Sequence, residues 1–235
     1  MFLLGVDAGT KMAAPCISWL IEGEDGSKIL VDTGPHAADA PTACYHNVVE
    51  RAEVERIDQA LLKHGVDPDE ITTVIFTHLH WDHCYNAALL KNAKFYVQKS
   101  EICYAVDPIE WHYPAYDTKL PDMNVNPPWM EVFHKLVTVD GDYEIAPGVL
   151  FVLLPGHTPG SAGIAVKTRQ GMIMVGGDTV PLIENWEGNA RQKHIPSALM
   201  TDVVAYYHSF KKIEKIADKV LPAHDFRSFD QAKWG

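Results

Sequence analysis

A chain of 235 residues with 47% hydrophobic and 22% charged side chains has the apolar material for one large domain, and no contrast in composition divides it into halves. The formal net charge of −11 argues against a sequence-independent grip on nucleic acid, which needs a basic face to displace counterions from phosphates. No run reaches the length of a membrane helix, and Cys16, Cys44, Cys84 and Cys103 stand too far apart for a disulfide framework, so reduced thiols in a cytoplasmic protein are expected. The opening MFLLGVDAGTKMAAPC has no basic region followed by a long apolar stretch, which fits that location.

In chain order, CISWLIE (16–22) and SKILVDTG (27–34) predict two short strands around the turn-forming GEDGS. His36 to Asn47 reads as a loop. From Val48 to His64, Val54, Ile57 and Leu61 share one helical face, and Gly65 ends that helix. TTVIFTH (72–78) predicts a buried strand, AKFYVQ (93–98) another, and Ser100 a cap for a helix beginning at Glu101. Four proline-containing pairs, from Asp107-Pro108 to Pro127-Pro128, mark an aromatic and Pro-rich insertion at about 102–135. KLVTVD, GVLFVLLPG, SAGIAVKT and GMIMVGGDT follow as four strands. A helix from Thr201 carries Val204, Tyr207, Phe210 and Ile213 on its apolar face and Lys211, Lys212 and Lys215 in solvent; KVLPAHD closes as a strand and loop. Strands and helices in this order suggest an α/β chain with two sheets and helices packed outside them.

The segment FTHLHWDHCYN (76–86) places His78, His80, Asp82 and His83 within six positions. In an extended segment His78 and His80 point to one side and Leu79 to the other, so both histidines can face one cation. A sharp turn then lets Asp82 and His83 face a second. Imidazole and carboxylate suit zinc, and also iron or manganese. Further candidates stand at the ends of strands: His157 in LLPGHTPGS, Asp178 in MVGGDT and His224 in VLPAHD. Gly156 and Gly160 allow close backbone approach around His157. Among the other histidines, His36, His46, His64, His134, His194 and His208 are expected in surface or structural roles.

LVDTG, THLHWDH, GHTPGS, GGDT and AHD, in that order, resemble the metallo-β-lactamase superfamily over nearly the whole length. The resemblance implies a single domain over 1–235, an αββα four-layer sandwich with two divalent metal ions, zinc first among them. His78, His80 and His157 would hold one ion, Asp82, His83 and His224 the other, and Asp178 would bridge both. Asp32 would orient a ligand by hydrogen bonding.

Size, ligand set and motif context resemble most the N-acyl homoserine lactonase group. That implies a metal-dependent hydrolase in which a hydroxide between the metals opens a lactone ring, Asp82 passing a proton to the leaving alkoxide. Pro181 stands where the group typically carries a tyrosine, and Cys84, Tyr85 and Asn86 where small residues including glycine are common. Trp81, Tyr85, His112 and Trp186 are the candidates for substrate contact, Tyr85 or His112 supplying the missing hydrogen bond to the carbonyl. Tyr104, Trp111, Tyr113, Tyr116 and Trp129 are further aromatic candidates for a pocket wall. Cys84 is expected in the core or pocket wall. A thioester or amide hydrolase with the same metals is the alternative, and after it a non-hydrolytic redox or sensory metal protein. The expected partner is a small molecule; the aromatic insertion could serve a homodimer contact.

Overall fold

The computed structural model describes residues 2–6 and 8–235. The chain forms two compact units. An N-terminal unit comprises Ser18–Val97 and Ile102–Thr138; a C-terminal unit takes Val139–Gly235 together with Gln98–Glu101 and the segment ending at Ile17.

The first sheet runs in the order β1 (Trp19–Glu22), β2 (Lys28–Val31), β3 (Thr73–Ile75), β4 (Lys94–Gln98), β5 (Leu136–Val139). The predicted hairpin forms, with Trp19 opposite Val31. Pairs β2–β3 and β3–β4 are parallel, and α1 (Ile57–Lys63) lies in the crossover that a parallel pair requires. Because Val31 pairs with Ile75, the residues following both strands emerge side by side, and Asp32 N–H donates to Ile75 O at 3.0 Å. Leu30, Val74, Phe76, Leu79, Phe95, Val97 and the α1 residues Ile57 and Leu61 make the core beneath that edge.

Three sequence expectations shift in this unit. The helix predicted from Val48 starts only at Ile57, because Arg56 is extended (φ −63°, ψ 138°) and the turn before it is a short 3-10 segment, Glu53–Glu55. Val48 and Val54 are exposed, so no packing holds a longer helix there. Secondly, α3 (Lys99–Val106) follows β4 without a gap, and Ser100 lies inside it rather than capping it. Thirdly, in the part of the insertion beyond α3, 3-10 segments at Glu110–His112 and Pro128–Lys135 are the regular structure, and Tyr116 and Trp129 sit in the core cluster.

The second sheet runs β10 (Lys219–Leu221), β9 (Gly171–Val175), β8 (Ala162–Thr168), β7 (Val149–Leu153), β6 (Tyr143–Ala146). Strand β6 was not expected: Tyr143 and Glu144 are exposed and it forms a bulged edge, so it carries no apolar run to detect. Between parallel β9 and β10 come α4 (Ile183–Glu187), also unexpected, and α5 (Val203–Ile216). Asp202 caps α5, its carboxylate accepting from the N–H groups of Val204 and Ala205 at 2.8 and 2.9 Å.

The buried face of α5 is Tyr206, Ser209, Phe210 and Ile213; Val204 and Tyr207, placed on the apolar face by the sequence, are exposed. Tyr206, Phe210 and Ile213 pack with Val152, Leu154, Ala165, Met174 and Val220. Among the described residues no helix is long and apolar enough to cross a membrane.

Candidate metal centre

In the N-terminal unit the chain stays extended through His80 (φ −65°, ψ 151°) and then enters a four-residue helix, α2 (Trp81–Cys84). This combination puts ligand-type atoms of His78 and His80 within 4.8 Å of each other, and those of His78 and His83 likewise. Leu79 turns into the core, as the alternation of an extended segment requires. His78, His80 and His83 are buried; Asp82, with its side chain 19% exposed, keeps contact with solvent.

Asp32 organises this loop. Its backbone is left-handed (φ +58°), a conformation that Asp and Asn tolerate better than most residues. Its Oδ1 accepts from Thr77 N–H at 2.8 Å; its Oδ2 accepts from the Thr77 hydroxyl at 2.7 Å and from His83 Nδ1 at 2.8 Å. With its proton given to Asp32, the Thr77 oxygen accepts from His78 Nδ1 at 3.2 Å. One buried carboxylate thus orients two imidazoles, and Thr77, inside the recognised motif, was a positioning residue that the sequence reading passed over.

The residues after the motif have structural roles. Asn86 Nδ2 donates to the carbonyls of Thr33, Gly34 and Pro35 at 2.8–3.2 Å, and Arg51 donates to Pro35 O at 2.6 Å and Asn86 Oδ1 at 3.1 Å. Cys84 is fully buried in the core. Trp81 stacks on His36 and His46, ring centroids 4.4 and 4.2 Å away. His46 Nε2 bonds Asp117 at 2.8 Å, and Thr42 donates to the same carboxylate at 3.1 Å. Tyr85 meets His36 edge-on; burial first, and then the charge of Asp117, raise its phenol above the usual value, so it is a proton donor at neutral pH. His112 is buried, with Nδ1 2.9 Å from Tyr104 OH, while Trp111 is exposed.

In the C-terminal unit the three ligand candidates come from separate loops. Parallel β9 and β10 end in register at Val175 and Leu221, which sets the Asp178 turn beside the His224 loop: Gly176 N–H donates to Leu221 O at 3.0 Å, and His224 N–H to Pro181 O at 2.8 Å. Asp178 sits in a 3-10 turn, Gly177–Thr179, where Gly177 takes φ +52°. The buried Tyr206 hydroxyl lies against its carbonyl at 2.7 Å and that of Thr179 at 3.0 Å. His157 follows Gly156, at which a Cβ would stand 2.5 Å from Tyr206 Cα; at Gly160 it would stand 2.2 Å from Glu101 N. Both glycines therefore answer to protein crowding, from α5 and from the start of α3. Thr158 donates to the buried Glu101 carboxylate at 2.5 Å.

The donor set of this unit fits a divalent cation. His157 Nδ1 lies 2.7 Å from Leu199 O and His224 Nδ1 lies 2.8 Å from Pro15 O; a carbonyl can only accept, so both Nδ1 atoms carry protons and both Nε2 atoms are the ligating ones. Asp178 turns one oxygen to each: Oδ2 is 3.4 Å from His157 Nε2 and Oδ1 is 2.9 Å from His224 Nε2. Burial alone would favour a neutral His224 ring, yet Asp178 beside it raises its pKa well above the usual value. A metal ion competes for that same position against a proton. Cys16, which no sequence signal singled out, has its sulfur within 4.8 Å of the ligand nitrogen of His224. Trp186 stacks on His194 at 4.4 Å, and His194 bonds Glu214 of α5, so this tryptophan joins α4 to α5.

A sequence profile of the metallo-beta-lactamase superfamily matches residues 13–228. An N-acyl homoserine lactonase of Bacillus thuringiensis subsp. kurstaki is 28% identical over 223 residues, covering 91% of this chain and 81% of its own length. A solved N-acyl homoserine lactone hydrolase, with N-hexanoyl-L-homoserine bound at its catalytic metal center, superimposes with a TM-score of 0.74 at 24% identity, covering 99% of this chain and 90% of that one. Another quorum-quenching N-acyl homoserine lactone hydrolase gives a TM-score of 0.69 at 26% identity over 94% of this chain and 84% of that one.

Proposed function

The chain belongs to the metallo-β-lactamase superfamily and has its fold, and on that premise we propose that it is a dinuclear metal-dependent lactonase. The observation that carries the reading is Asp178, a buried carboxylate with one oxygen directed to each of two imidazoles. The similarity to N-acyl homoserine lactonases supports a cyclic ester as substrate. In this reading, 1–235 is one hydrolase domain; His78, His80 and His157 would hold one ion, Asp82, His83 and His224 the other, and Asp178 would be shared by both.

Zinc is the favoured metal, imidazole and carboxylate also accepting iron or manganese. Bound divalent ions supply Lewis acidity and a water-derived nucleophile at neutral pH.

The chain's own residues do the rest. Asp32 and Thr77 hold the rings of His78 and His83 in the ligating tautomer. Asp82, partly open to solvent, carries a proton to the leaving alkoxide. Tyr85 is a protonated phenol suited to donating to the substrate carbonyl; His112, its Nδ1 engaged by Tyr104, is the second candidate. Trp81, clamped by two histidines, forms a rigid apolar wall, and Trp186 is a further candidate contact.

We extend the proposal to a cytoplasmic homodimer. Four cysteines outside any disulfide fit a reducing compartment, and Ile109, Trp111, Met130 and Phe133 expose apolar surface on the insertion for a second subunit.

Proton release by metal-replete protein against aliphatic, acyl homoserine and aromatic lactones tests the function, with His157→Ala alongside. Ring opening that falls at least about a hundredfold in the variant is expected, since even outer partners of a metal ligand contribute 10–100-fold. Silence across the panel with two metals per chain would transfer the same centre to thioesters or amides.

A further inference from the structure

Cys16 lies outside every motif of the family and yet reaches the metal ligands. Two hydrogen bonds bracket it: Pro15 O accepts from His224 Nδ1 at 2.8 Å, and Ile17 N–H donates to Ala223 O at 3.2 Å. The segment carrying the thiol is thereby laid along the loop carrying His224. Its sulfur falls within 4.8 Å of the ligand nitrogen of that ring, whose Nε2 is 2.9 Å from Asp178 Oδ1. His224 and Asp178 are both more than nine-tenths buried, and the cysteine is partly buried beside them. A soft sulfur and an imidazole nitrogen so placed are within reach of one cation, and the Asp178 carboxylate adjoins the same imidazole.

We propose that Cys16 is a ligand of the metal ion held by His224, an inference that rests on the dinuclear centre proposed above. On binding, the S–H bond breaks, the proton leaves to solvent and the sulfur electron pair forms the bond to the metal; nothing is oxidised or reduced. A thiolate favours zinc, whereas carboxylate and water ligands alone suit manganese, so the same residue sets the metal preference of that position. Its role in the present chain is therefore to make one half of the centre softer than the other.

Cobalt(II) loaded into the metal-free protein provides the test, because a cobalt–thiolate bond gives an intense near-ultraviolet charge-transfer band that nitrogen and oxygen ligands do not give. The wild type is expected to bind two cobalt ions per chain and show the band. Cys16→Ser and Cys16→Ala should lose it while still binding cobalt, with affinity for the weaker-held ion reduced about tenfold or more, on the scale known for partners of metal ligands. Two cobalt ions per chain without the band in the wild type, or a band that survives in both variants, overturns the assignment of Cys16 and leaves the dinuclear centre standing. Failure of the wild type to take up cobalt, zinc or manganese overturns the centre itself and the Cys16 assignment with it.

Discussion

In the N-terminal unit, ligand-type side chains crowd into six residues, His78 to His83, and one buried carboxylate, Asp32, fixes the turn that carries them. In the C-terminal unit His157, Asp178 and His224 come from three loops, held by strand register, by carbonyl groups and by Tyr206 of α5. In the first case local spacing gathers the side chains and a single carboxylate at the end of the neighbouring strand holds them; in the second, packing between distant segments brings them together. The two arrangements should therefore fail differently. Damage to the first should appear in metal binding before it appears in stability, and damage to the second should appear in stability first.

The largest effect should come from Gly156→Ala. The backbone there has φ +144°, and the added methyl meets the Cα of Tyr206 at 2.5 Å, which no side-chain rotation relieves. Strain and overpacking together predict a loss of about 3 kcal/mol or more in urea unfolding. An unchanged midpoint would mean that the His157 loop does not depend on α5.

Asp32→Asn probes the other arrangement. Asparagine tolerates the left-handed backbone, so the substitution isolates the loss of charge at the His83 and Thr77 contacts. Metal affinity measured by competition with a chelator should fall on the order of 10–100-fold. A loss of folding stability without a change in affinity would remove the distinction between the two units.

The smallest effect belongs to an ion pair at the start of α1, between Arg56 and Asp58, that touches neither set of candidate ligands. Arg56 holds the Asp58 carboxyl down at about 2, so its contribution is present above the ordinary carboxylate value of about 3.9 and is lost as pH falls through about 2. Asp58→Asn should lower the free energy of urea unfolding at about pH 6 by less than about 1 kcal/mol, and the gap should close toward pH 2. A change in metal affinity in this variant would show that the centre responds to stability in general.

The same contrast explains what the sequence disclosed. His78, His80, Asp82 and His83 are legible as a cluster because they fall within six positions; alternation in an extended segment gives the shared side of His78 and His80, while Asp82 and His83 depend on the turn into α2. The strands β1 to β4 and the sheet of β7 to β10 are legible as apolar runs, and the family resemblance fixes the fold. The face of α5 is misread by one position: Tyr206 and Tyr207 are adjacent and alike, and the first is buried by packing with Phe210, Ile213 and the sheet and by its hydroxyl bonds to the carbonyls of Asp178 and Thr179. Edge strand β6 lacks an apolar run, and the start of α1 depends on Arg56 leaving helical geometry. Cys16 is silent for the same reason as Tyr206, since its neighbours are set by Pro15 and Ile17 bonding to a loop at the other end of the chain.

Tyr206 touches Gly156 with its backbone and the Asp178 turn with its hydroxyl, so the loops bearing two candidate ligands lean on one residue of α5. Local opening in proteins proceeds by contiguous cooperative units. A fluctuation that lifts this helix would remove the support of His157 and Asp178 together. In the proposed centre, two candidate ligands thus depend for their placement on a helix that carries no candidate ligand of its own.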